Sequence, residues 1–113
     1  SFDIIIDDGS HILSNILKKL TFFFKYLKSG GAYVIEDYKH PNYYPHLNDS
    51  NNHYLIDRVL YFLKKKKIFK STIITKKEIF FLINQIKKIF IYKGSCVEKR
   101  KNVSDIAFLY KKI

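Results

Sequence analysis

The chain has 113 residues, 47% of them hydrophobic and 17% aromatic, with a formal net charge of +11. That length suits one small domain or a piece of a larger one, and the apolar fraction excludes a disordered composition. No apolar run approaches the roughly 18 residues of a membrane span, and the lone Cys96 excludes an intrachain disulfide, which fits a reducing, cytoplasmic setting.

The positive charge raises nucleic acid as a partner. Only Arg58 and Arg100 are arginine, however, and a Lys-, Ile-, Asn- and Phe-rich chain is what an AT-rich genome writes on any fold. The basic runs, including Lys64 to Lys67, are expected on solvated faces, and nucleic acid is not the expected partner.

Phe2 to Ile6 is a short apolar run closed by Asp7, Asp8 and Gly9. It reads as a parallel strand covered on both faces. Because the strand pattern begins at once, the chain is expected to be cut from something longer. From Ile12 to about Leu27, apolar residues at Ile12, Ile16, Leu20, Phe23 and Leu27 recur at helical spacing, with Ser10 as the expected N-cap. Ser29-Gly30-Gly31 reads as the helix stop. Ala32 to Ile35 is a second strand, ending at Glu36-Asp37. Strand, helix and strand at this spacing predict a right-handed βαβ crossover with parallel strands.

Residues 38–50 hold both prolines and several aromatics without periodicity, and read as a long functional loop. A helix is expected over Asn51–Lys66, with Leu55, Val59, Leu60 and Leu63 inward. Residues 68–75 fit a short strand or a loop, and Thr75–Gln85 a weaker helix. Ile89–Lys93 and Asp105–Tyr110 read as strands. The polar Gly94–Ser104 connection leaves no room for a crossover helix, so these two should pair antiparallel.

Chemistry concentrates at the first two strand ends. Asp7, Asp8 and His11 follow a parallel strand at the carboxyl edge of the sheet, where open α/β folds bind ligands. Glu36 and Asp37 end the next strand, about 5 Å away. Four carboxylates and an imidazole are therefore expected to converge. A hard cation such as Mg²⁺ suits oxygen ligands of this kind, held by Asp8, Glu36 and Asp37. His11 can accept a proton near neutral pH. The plainer alternative is a tight Asp8-Gly9 turn with Asp7 capping the next helix, and an ordinary loop start at Glu36-Asp37. His40, His46 and His53 flank the aromatic loop and are either acceptor-pocket residues or ordinary surface histidines; Cys96 has no evident partner and reads as an incidental thiol.

The segments Phe2-Asp3-Ile4-Ile5-Ile6-Asp7-Asp8-Gly9-Ser10-His11 and Leu27-Lys28-Ser29-Gly30-Gly31-Ala32-Tyr33-Val34-Ile35-Glu36-Asp37 resemble class I methyltransferases. The resemblance is strongest to the branch of macrolide-sugar O-methyltransferases of the mycinamicin type and their cephalosporin-hydroxylase-like relatives. It covers residues 2–37; beyond them only the order of elements agrees. It implies an α/β fold, the C-terminal half of a Rossmann-like class I methyltransferase domain, with parallel strands and a final antiparallel strand pair. It implies S-adenosylmethionine as methyl donor, Mg²⁺ as metal, and a small-molecule or saccharide hydroxyl as acceptor. Asp8, Glu36 and Asp37 would be metal ligands, His11 the general base, and Asp7 a neighbour of the donor. The family's glycine-rich donor loop has no counterpart, because Gly9, Gly30, Gly31 and Gly94 do not supply it. Residues 1–113 are thus expected to be one domain lacking its donor-binding half and inactive alone, with exposed strands that favour a homo-oligomer. The alternatives are a non-catalytic Rossmann-like domain and a basic nucleic-acid-binding module.

Overall fold

The computed structural model describes residues 1–94, 97–98 and 101–113. Cys96 lies outside them. The elements run β1 (Phe2–Asp7), α1 (Leu13–Phe24), β2 (Leu27–Glu36), α2 (His40–Tyr43), a 3₁₀ turn (Pro45–Leu47), α3 (Ile56–Lys64), α4 (Lys76–Gln85), β3 (Ile86–Tyr92), β4 (Val97–Glu98), β5 (Lys101–Asn102) and β6 (Ile106–Lys111). Four strands form one sheet in the order β1-β2-β6-β3; β4 and β5 form a separate two-stranded ribbon. β1 and β2 are parallel, while β6 is antiparallel to both β2 and β3. The expected βαβ start and antiparallel finish are both present.

The helices share one face of the sheet. Leu13, Leu17, Leu20 and Phe24 of α1, Ile56, Val59, Leu60 and Leu63 of α3, and Ile79 and Leu82 of α4 pack with Tyr33, Ile35, Ile89 and Leu109 in one core. The expected Leu20, Val59, Leu60 and Leu63 are among them, whereas Phe23, expected inward, is exposed and Phe24 takes its place; the sheet supplies the facing layer.

The other face is uncovered among the described residues. Strand register aligns Ile4 with Ala32 and Ala32 with Tyr110; the next row holds Ile6, Val34, Phe108 and Phe90. Phe2, Ile4 and Ile6 are 57%, 60% and 59% exposed. The expectation that β1 is buried on both faces is therefore corrected: it is an edge strand with one bare side. A continuous apolar run signals two apolar faces, not the presence of both covering layers.

The second boundary was also misplaced. α1 ends at Phe24, and Ser29-Gly30-Gly31 lies inside β2. The register between β1 and β2 shifts between Phe2 and Ile4, at the level of these glycines. Gly30 has φ 80, and a Cβ on Gly31 would sit 2.7 Å from the Asp3 carbonyl oxygen. The glycines serve an irregular parallel pairing, not a helix cap.

Ser10 does not cap α1 either. The residue before the helix is Ile12, and it makes no capping bond. Asp49 caps from a distance: its carboxylate accepts from the Ser14 amide at 3.0 Å and from the Ser14 hydroxyl. α3 is shorter than expected, starting at Ile56, and residues 68–75 contain no helix or strand. Thr75 and Glu78 close a reciprocal capping box on α4.

Candidate active site

Parallel pairing sets Ile6 opposite Val34 and Asp7 opposite Ile35. The next residues, Asp8 and Glu36, leave the sheet together on its bare side. Their carboxyls lie close enough for each to bear on the other. The Glu36 pKa is raised by partial desolvation first, then by the Asp8 hydrogen bond and charge, and then by the Asp37 charge. Three of the acids are thus felt at one point, the arrangement in which like charges oppose ionisation.

Asp7 goes the other way. Alternation along the strand turns it toward the helices, where it is buried. Its Oδ1 takes the Lys19 ammonium at 2.7 Å and the Gly9 amide at 3.2 Å, while its Oδ2 is buried with no hydrogen-bond partner. Asp7 and Asp8 both line an open cleft of about 450 Å³, with Phe23 and Tyr33 among its walls. The expected gathering of four carboxylates is therefore corrected: Asp7 is buried against Lys19 and stands apart from Asp8, Glu36 and Asp37.

Asp37 turns the chain. Its φ of 52 lies in the left-handed region, which Asp tolerates better than most residues. Its amide donates to the Asp105 carbonyl at 3.1 Å. Two residues on, the Lys39 ammonium meets Asp105 Oδ2 at 2.8 Å. Asp105 is only 1% exposed and also accepts from the Gly94 amide and the Asn102 side chain. Burial would raise the Asp105 carboxyl, but Lys39 and these donors outweigh it and hold the pKa below the usual carboxylate value.

The reversed chain brings His40 onto His11, with ring centroids 3.9 Å apart and planes 14° from parallel. Tyr44 lies 5.9 Å from His40, and His46 lies 6.2 Å from Tyr44. His40 thus joins the site and His46 marks the end of the ring ladder. His53 belongs elsewhere: its Nδ1–H donates to the Tyr54 carbonyl, and its Nε2 accepts from the Ser71 hydroxyl at 2.6 Å. It ties two loops together. Sequence reasoning missed Lys39 and Asp105 altogether, since neither carries a pattern that foretells their meeting.

No protein-family model matches the chain. Part of it is 53% identical to L-olivosyl-oleandolide 3-O-methyltransferase of Streptomyces antibioticus over 36 residues, which is 32% of this chain and 9% of that protein. The mycinamicin VI 2''-O-methyltransferase of Micromonospora griseorubida is 50% identical over 36 residues, with the same shares covered. The structure superimposes on the MycE methyltransferase from the mycinamycin biosynthetic pathway, solved in complex with Mg, SAH and mycinamycin VI. The TM-score is 0.66 at 25% identity, over 98% of this chain and 25% of that one. The chain shares an α/β fold with part of that methyltransferase. It spans about a quarter of that solved chain, and the aligned stretch only about a tenth of the curated relatives.

The acid set fits a hard divalent cation by chemistry: oxygen ligands only, with mutual repulsion that a cation would relieve. Convergence is incomplete. Among the described residues, no three His, Cys, Asp or Glu side chains stand close enough to hold one ion. Asp8 and Asp37 both bear on Glu36 through their charge.

Proposed function

We propose that this chain carries the acceptor-activating part of an S-adenosylmethionine-dependent, metal-assisted O-methyltransferase acting on a hydroxyl of a sugar or similar small molecule. The observation that carries the reading is the placement of Asp8 and Glu36 at neighbouring parallel strand ends, where their charges bear on one another, with His11 following in the same loop. The similarity to macrolide-sugar O-methyltransferases over 36 residues supports the same reaction class.

In this reading Asp8 and Glu36, with Asp37 beside them, would hold Mg²⁺, and His11 is the base. Bound Mg²⁺ would supply Lewis-acid polarisation, lowering the pKa of an acceptor hydroxyl. His11 takes the hydroxyl proton as the oxygen accepts the methyl group from the sulfonium donor. Both would serve as ligands in their ionised form, Asp8 and Glu36 alike, and the cation would offset the neighbouring charge that raises the Glu36 pKa. Asp7, paired with Lys19, keeps its place on the helix side and lines the cleft where a donor molecule would lie.

The test is methyl transfer by the full protein to a panel of glycosylated acceptors. His11→Ala is expected to lower kcat by about 100-fold or more while donor affinity is held. Equal loss of donor affinity and rate would remove His11 from the base role. Glu36→Gln should abolish the dependence of rate on Mg²⁺; a rate that never depended on Mg²⁺ would end the metal-assisted reading.

A further inference from the structure

The reading of His11 as a base leaves open what aims its ring. His11 sits between β1 and α1, outside any helix or strand, and is half-buried. Among the described residues, no hydrogen bond holds its imidazole; the face-to-face contact with His40 does. A general base must meet its proton within hydrogen-bond reach, so a ring that swivels is a poor one.

His40, by contrast, is clamped. Its Nδ1–H donates to the Asp37 carbonyl at 3.0 Å, which fixes the ring plane against its own backbone. Tyr44 lies alongside it, its ring centroid 5.9 Å away and 23° from parallel with that of His40. The next residue, Pro41, is buried in the first turn of α2. The residue before, Lys39, is pinned to the buried Asp105. A ring held on both sides in sequence and on one side in space is a fixed surface against which a looser ring can lie.

We propose that His40 is a positioning residue: it holds the His11 imidazole by stacking, in the orientation in which His11 accepts the proton. The inference rests on the reading of His11 as the base, and it adds a role for a residue outside both strand-end motifs. His40 need not exchange protons for this; its flat ring, laid against that of His11, is what acts.

Two variants separate the roles. His40→Ala removes the stack. His40→Phe keeps a flat ring between Tyr44 and His11 but has no nitrogen. If His40 positions His11, His40→Ala should lower kcat by about 10- to 100-fold with little change in KM for the acceptor, as expected when a reacting group loses its alignment. His40→Phe should recover most of that loss. A Phe variant as slow as the Ala variant, or an Ala variant as fast as wild type, overturns the proposal.

A measurement independent of turnover accompanies these. In proton NMR, the His11 ring signals should be displaced upfield by the overlying His40 ring, move toward ordinary values in His40→Ala, and stay displaced in His40→Phe. His11 signals indifferent to His40→Ala would overturn the contact itself. If the signals respond as expected while wild type transfers no methyl group, the ring contact is supported and the reaction reading fails, so the two failures are told apart.

Discussion

At the scale of single residues, two carboxyls pull stability in opposite directions with pH. Glu36 has a raised pKa in the fold, through desolvation and its neighbours Asp8 and Asp37. Its contribution is full below the unfolded value of about 4.3 and is lost as pH rises through the folded value. Asp105 is held below its ordinary pKa by Lys39 and the Gly94 amide, against its own burial. Its contribution is full above about 3.9 and is lost as pH falls through the folded value. Melting curves from pH 3 to pH 8 in chelator should show both arms. Glu36→Gln should flatten the upper arm alone; a curve unchanged by that substitution would mean the acid cluster is not repelling itself. Asp105→Asn should cost about 2 kcal/mol in denaturant unfolding, below the ~3–5 of a fully buried pair because Lys39 is partly solvated. The nearness of Asp8, Glu36 and Asp37 was legible, because acidic doublets ended two adjacent apolar runs. Asp7 was misplaced with them, although the strand's period of two already turned it to the opposite face. Lys39 and Asp105 were illegible: they meet only because a left-handed Asp37 folds the loop back over β6.

At the scale of elements, sequence patterns located helix faces better than helix ends. The apolar spacing of α1 marked Ile16 and Leu20 correctly but took the exposed Phe23 for Phe24, and its cap is Asp49, a loop residue 35 positions from Ser14 in sequence. Capping by a remote side chain leaves no local signature, whereas the Thr75–Glu78 box on α4 does. Asp49→Ala should destabilise the fold by about 1 kcal/mol, and Ser10→Ala by much less, measured by chemical denaturation. Equal effects would restore Ser10 as the cap. The glycine pair misled for a related reason. Gly31 reads as a helix stop in isolation, yet its hydrogen faces the Asp3 carbonyl, and a Cβ there would also lie 2.9 Å from the Lys28 carbonyl. Gly31→Ala should therefore cost more than about 1 kcal/mol despite removing no side-chain contact.

For the whole molecule, the decisive asymmetry is one covered and one bare sheet face. Ile6, Val34, Phe108 and Phe90 form an apolar row open to water, on a chain of net charge +11. Contiguous apolar surface of this kind seeks a partner layer. The chain on its own should bind a hydrophobic dye and associate as its concentration rises. An Ile6→Lys, Phe108→Lys double variant should do neither while keeping its circular dichroism. If the wild-type chain stays monomeric and dye-free, the face is covered by something absent from this account of the sheet. β2 is the strand least touched by that asymmetry, lying between parallel β1 and antiparallel β6 and ending at Glu36. Its amides are hydrogen-bonded on both sides, so Tyr33, Val34 and Ile35 should be among the slowest in the chain to exchange with deuterium. The acidic tip would then outlast partial openings that free the helices, and a cation or acceptor meeting this protein would find its ligands already mounted on the part that lets go last.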